Sequence, residues 1–211
     1  MTIENIEQAL TLPLPGKLGQ YIMAPSYRPD MDTTEVLKLN PKIGGVLLLL
    51  NPKHDGLYVV FTLRKKYLGT HSGQMSFAGG KREENDIDIT ATALRETHEE
   101  IGVPTHQIKI IGSLTELYIP PSHFLVYPIV GVLTAQVKYQ KQEAEVEEII
   151  EIPLDFFLEP SSVNTTLISA TNDKQFKVPA YIYQGYVIWG ATAIMMSEFV
   201  YMLQRNKIAN D

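Results

Sequence analysis

The stretch that most limits how this chain can fold is EENDIDITATALRETHEEIGVP, residues 83 to 104. Residues 88 to 101 read as a helix whose end is marked twice. Gly102 can take the left-handed position after the last turn, and Pro104 forbids continuation. On a helical wheel at about 100° per residue, Ile87, Ala91, Leu94 and Ile101 gather in one wedge, expected to face the core. Glu96, Glu99 and Glu100 gather on the opposite side, and Glu96 and Glu100 are one turn apart, so their carboxylates can reach one point. Like charges at this spacing repel. Either water screens them cheaply or something positive sits among them.

Strands and further helices surround that segment. IGGVLLLL, NPKHDG and LYVVFTLRK, residues 43 to 65, read as strand, turn and strand, with Asp55-Gly56 supplying the turn chemistry. Residues 108 to 117 and 124 to 134 read as two more strands joined across Pro120-Pro121, and residues 2 to 11 as a short helix stopped by Pro13 and Pro15. The run from Tyr181 begins β-like and ends in an apolar helix. Strands interrupted by helices predict a mixed α/β layer fold. No linker or repeat divides the chain, so residues 1–211 are expected to form one domain, with residues 1–40 an extension of unspecified structure.

Composition narrows the function. A chain of 211 residues can bury one sizeable core, and the lack of cysteine removes disulfides, thiolate zinc sites and cysteine nucleophiles together. The net charge of -6 argues against nucleic-acid binding, which wants a basic face. Glu4 and Glu7 stand where a signal peptide would need a basic segment and an apolar run, and GGVLLLL is far short of the ~20 residues that span a bilayer. A cytoplasmic protein without membrane contact is the expectation. The clustered glutamates suit a hard divalent cation such as Mg²⁺, which takes oxygen ligands from one or two carboxylates and completes its shell with waters and substrate phosphates. A bare E-x-x-E-E is also what a solvated helix face looks like.

Three neighbours favour the cation. Gly79-Gly80 permits close backbone approach to a ligand, Arg95 can hold a carboxylate through its fork, and the loop carrying Glu143, Glu145, Glu147, Glu148 and Glu151 can supply another ligand. His98 falls on the apolar stripe and reads as packed or at an interface. Trp189, Tyr181, Tyr183 and Tyr186 could stack a base but read better as core or dimer packing.

GGKREENDIDITATALRETHEEIGV resembles the Nudix box, a glycine and spacer followed by Arg-Glu-apolar-x-Glu-Glu-x-Gly-apolar. Gly80 matches the opening glycine, and Arg95, Glu96, Glu99, Glu100 and Gly102 match the closing half. Arg95 lies fifteen residues after Gly80, one more than the general pattern, and Asp86, or else Asp88, stands in for the isolated glutamate. The upstream run TLRKKYLGTHSGQMSFAGG is similar to the signature of the coenzyme A diphosphatase branch, with Arg64, Leu68, His71, Gly73, Gln74, Ser76, Phe77, Gly79 and Gly80 matching. Lys65 and Ala78 depart from it. YVIWGATAIMMSEF resembles a further segment of that branch.

The resemblance implies a Nudix fold, a mixed sheet between helices, and a hydrolase that cleaves coenzyme A or an acyl derivative to 3′,5′-ADP and a 4′-phosphopantetheine. It implies Mg²⁺ or Mn²⁺ held by Glu96, Glu100, Glu99 and Glu145, with one of the glutamates, Glu99 among them, taking a proton from water and Arg95 assisting. Arg64, His71, Gln74, Gly79 and Gly80 are implied on the substrate side, while Lys65 and Lys66 read as solvated strand-end cations. The alternatives are a diphosphatase for ADP-ribose, NADH or another dinucleotide, and a binding module without catalysis. Dimers are common in the family, so a homodimer stands beside the monomer as an expectation.

Overall fold

The computed structural model describes residues 1–169 and 175–210. Three short helices come first: α1 (Ile3–Leu10), α2 (Lys17–Gln20) and α3 (Thr33–Lys38). Capping boxes at Thr2 and Asp32 start the first and third, satisfying backbone amides that have no partner in an opening turn. A hairpin follows, β1 (Lys42–Lys53) and β2 (Gly56–Arg64), then two short strands, β3 (Met75–Ser76) and β4 (Ala78–Lys81). The acidic helix is α4 (Ile89–Ile101), capped by the Asp88 carboxylate and ended by Gly102 at φ 72°.

Beyond it run β5 (Ile108–Ser113), β6 (Leu117–Ile119), β7 (Phe124–Leu133) and β8 (Val146–Pro153), then α5 (Leu154–Leu158). The chain ends with β9 (Val163–Ser169), β10 (Gln175–Tyr183), β11 (Tyr186–Trp189) and the long α6 (Gly190–Asn210). The mixed α/β class expected from the sequence is the one observed.

β1 organises the larger sheet. Along one edge it pairs in parallel with β7; along the other, its first half pairs with β4 and its second half with β2, both antiparallel. β8 adds outside β2, and β5 and β6 outside β7. Leu47, Leu48, Leu49 and Leu50 are all buried because the sheet is covered on both faces. Leu48 and Leu50 enter a core shared with α1 and α6, whereas Leu47 and Leu49 meet Ala93 and Ile101 of α4. Tyr181 and Tyr183 pack edge-on against Phe157 and Phe156, the core packing expected of them.

Several expectations are corrected. The strand foreseen over 108 to 117 is two: β5, with a pairing irregularity between Ile110 and Gly112, stops at Ser113, and β6 starts only at Leu117. The acidic run over 143 to 151 is not one loop: Glu147, Glu148 and Glu151 belong to β8, paired to β2. Ile87 precedes α4 and is 87% exposed. The face of α4 turned inward carries Thr92, Ala93, Thr97, Glu100 and Ile101. His98 is exposed, its ring nitrogen hydrogen-bonded to the Val103 carbonyl. Among the described residues no helix is long and apolar enough to cross a membrane.

Candidate active site

The inward face of α4 lies close against strand backbone. A Cβ at Gly45 would come within 2.7 Å of the Ile89 carbonyl, and one at Gly80 within 2.4 Å of the Glu96 carboxylate. Bare glycine on β1 and β4 therefore lets the helix approach, and brings Glu96 and Glu100 to the sheet edge at Gly79-Gly80. There a cavity of about 720 Å³ opens, lined by Glu96, Glu100, Glu145, Arg64, His71, Gln74, Gly79 and Gly80. Eight of the sequence-predicted site residues thus share one cavity wall.

Glu100 has the most unusual environment. It is 4% exposed, its Oε2 is buried with no hydrogen-bond partner, and its Oε1 lies 3.9 Å from Nη1 of Arg64, too long for a firm pair. Burial pushes its pKa up to about 8, with nearby Glu96 and Glu145 adding to the shift while Arg64 opposes it. Glu96, partly buried, is also raised, first by desolvation and then by Glu99 and Glu145 against the pull of Arg95. The Nε of Arg64 is a second buried atom without a partner. A wall with an orphaned carboxylate oxygen and an orphaned guanidinium donor is complementary to a cation bound to an anion.

Arg95 uses its whole fork. Nε and Nη2 donate to the two oxygens of Asp86 at 3.0 Å each, Nη2 also to the Lys81 carbonyl, and Nη1 to Glu96 and Glu99. Asp86 also accepts from the Glu83 amide and the Thr92 hydroxyl. The Arg95 guanidinium, helped by that amide, holds the Asp86 carboxyl well below the usual carboxylate range. Arg95 is thus fixed behind Glu96 and does not line the cavity. Nor does Glu99, whose side chain is 53% exposed and turned to Arg95.

Glu145 arrives from the turn before β8. Its amide donates to Oε1 and to the carbonyl of Gln142, whose own amide donates to the Glu100 carbonyl at 2.8 Å. The Glu145 carbonyl in turn accepts from the Lys65 amide. One residue, Gln142, ties the two acidic segments together. His71, at φ 68°, bonds the Gln74 side chain at 3.1 Å, so this pair enters the cavity as a unit. Lys65 and Lys66 do not line it.

Among the described residues no three His, Asp or Glu side chains converge closely enough to hold an ion unaided. A cation there would need substrate and water to complete its shell. The cavity also has walls from Lys42, Ser122, Phe124 and Val126, which no motif covered, and from Lys81 and Ala191, Thr192 and Met195 of α6, which lie inside the motif-bearing stretches without having been singled out. For Lys42, Lys81, Phe124 and Val126 the signal is strand register.

Residues 41–173 match the model of the NUDIX domain. An uncharacterised Nudix hydrolase, NudL, of Photorhabdus laumondii is 36% identical over 146 residues, 69% of this chain and 77% of the relative. The mouse peroxisomal coenzyme A diphosphatase NUDT7 is 41% identical over 115 residues, 54% of this chain but 48% of the relative, so the chain spans about half that protein's length. The human mitochondrial coenzyme A diphosphatase NUDT8 is 31% identical over 173 residues, covering 81% of this chain and 72% of the relative.

Proposed function

The chain belongs to the NUDIX family and is a diphosphatase, and from that premise we propose that it hydrolyses coenzyme A or an acyl-coenzyme A with the help of Mg²⁺ or Mn²⁺. The products are 3′,5′-ADP and 4′-phosphopantetheine or its acyl form. Two relatives carry coenzyme A diphosphatase in their names, and the His71–Gln74 pair of the branch signature lines the cavity. The observation that carries the cation is the buried, unpartnered Oε2 of Glu100 beside a second carboxylate. Burying a carboxylate with nothing on one oxygen is costly unless a positive group joins it.

In this reading Glu96 and Glu100 would hold the cation from α4, with water and substrate phosphates completing its shell, while Glu145 faces the same cavity from the turn before β8. A bound divalent ion supplies neutralisation of the diphosphate oxygens and lowers the pKa of the attacking water. Arg95, anchored by Asp86, is a positioning residue that fixes the Glu96 carboxylate and ties Glu99 behind it. Arg64 offers its unpaired Nε to a phosphate oxygen. Gly79 and Gly80 leave strand backbone bare, so a diphosphate can lie close to it. Glu145, exposed at the cavity mouth, has room to take the proton of the arriving water. His71 and Gln74 orient the substrate from the facing loop.

The test is a panel of coenzyme A, NADH, ADP-ribose and diadenosine substrates, assayed with and without Mg²⁺ and analysed for products. Release of 3′,5′-ADP from coenzyme A, only with the metal, is expected. Release of AMP from NADH or ADP-ribose with coenzyme A left intact moves the activity to the dinucleotides.

A further inference from the structure

Part of the cavity takes no share in the chemistry above. Its floor follows from register. Lys42, Gly44 and Val46 alternate onto one face of β1, Phe124 and Val126 stand opposite Lys42 and Gly44 on β7, and Lys81 stands opposite Gly44 on β4. A Cβ at Gly44 would lie 3.1 Å from the Phe124 ring, so the ring leans over the space that glycine leaves. The Lys42 ammonium sits 5.5 Å from the centroid of that ring.

Charge adds to this floor. The protein has a net charge of -6, and Lys17, Lys53 and Lys109 each pair with a carboxylate. Lys42 and Lys81 are exposed on the cavity rim, and among the described residues neither has an acidic partner within ion-pair distance. Beside them Ser122 lines the cavity with its Oγ buried and unpartnered. Buried hydroxyls are normally satisfied, so this one is available to a ligand after a rotation about χ1. Two free ammonium groups, a free hydroxyl and an aromatic plate make a site for a phosphorylated nucleoside. Arg64, which the diphosphate reading uses, closes β2, whereas the first half of β1, where Lys42 and Gly44 stand, pairs with β4 and β7 rather than with β2.

We infer that Lys42 and Lys81, with the Ser122 hydroxyl and the Phe124 ring, form a subsite for a phosphomonoester on the substrate's ribose, distinct from the diphosphate that is cut. The inference rests on the coenzyme A reading, since the ADP half of coenzyme A carries such a phosphate. Ionic hydrogen bonds give the subsite its selectivity, and their loss is worth about 30-fold in discrimination.

Two measurements test it. The first is kcat/KM for coenzyme A and for its 3′-dephospho form, in wild type, K42Q, K81Q and the double variant. The second is calorimetric binding of adenosine 3′,5′-bisphosphate and of 5′-AMP to the same proteins in Mg²⁺ buffer. Wild type is expected to favour the 3′-phosphorylated member of each pair, and the double variant to lose about 30-fold of that preference, with each single variant between. Equal losses on both members, or a wild type indifferent to the 3′-phosphate in both measurements, overturns the subsite. A wild type that leaves coenzyme A intact but binds the bisphosphate more tightly sinks the substrate reading and supports the subsite.

Discussion

Two buried glutamates on two helices show opposite ways of placing a carboxylate inside a protein. Glu198 of α6 is fully buried, and both oxygens are occupied: Oε1 accepts from the Gly16 and Thr115 amides and the Thr115 hydroxyl, Oε2 from Gln20. Glu100 of α4 is almost as buried, yet one oxygen has no partner, and only the distant Arg64 and the Gly79 backbone favour its charged form. Burial raises the pKa of both, but around Glu198 the hydrogen bonds pull back toward ionisation. The difference separates an internal tie from a carboxylate left short of partners. Glu198 joins the amino-terminal helices to the last one; Glu100 is left unsatisfied at a cavity wall.

The strongest way to break that contrast is to neutralise each in turn. Glu100→Gln is expected to lower kcat/KM by about 10² to 10³ or more, the usual loss for an electrostatic catalytic group, with an unchanged or higher melting temperature in metal-free buffer. Turnover within a few-fold of wild type would remove Glu100 from the site. Glu198→Ala should do the reverse. It leaves buried donors unpaired and costs on the order of 3 kcal/mol of stability, read in urea melts, with little change in kcat per folded molecule.

pH sharpens the contrast further. The folded-state pKa of Glu100 stands near 8 against an ordinary 4.5, so the folded chain keeps a proton that the unfolded chain releases. Its contribution to stability is intact below about 4.5 and is lost as pH rises to about 8, by a few kcal/mol at most. In chelator, wild type should therefore weaken relative to Glu100→Gln over that range, and saturating Mg²⁺ should cancel the difference. Parallel stability curves for the two proteins would mean that Glu100 ionises without cost. The smallest effect is expected at Asp86→Asn, which loosens Arg95 behind Glu96 and should reduce Mg²⁺ affinity about tenfold, as the loss of an outer-shell partner does.

What the sequence made legible was local. Asp88 and Gly102 mark the ends of α4 through side-chain and backbone preferences that act within one turn, and the Asp55-Gly56 turn does the same for the first hairpin. Burial was less legible. A wheel sorted by hydropathy puts Glu100 toward water and Ile87 toward the core; the structure reverses both, because α4 turns Thr92, Ala93 and Thr97 inward and meets glycine backbone at Ile89, Ala93 and Glu96. The acidic run before Pro153 looked solvated, yet Ile150 and Ile152 alternate inward and make it a strand. The ties of Glu198 to Gly16 and Thr115 span 182 and 83 residues, beyond the reach of any periodicity. Lys42, Lys81 and Ser122 meet only through strand order.

The glycines beneath α4 also set a tolerance. A methyl group at position 45 would press on the Ile89 carbonyl and move the helix as a body, whereas one at position 80 would press on the Glu96 carboxylate alone. Two of the smallest changes available to a protein would thus act at different scales, one displacing every acidic group on the helix together and the other a single oxygen pair. Substrate grip and metal grip could drift apart in descendants of this chain by such steps while each carboxylate stays in the sequence.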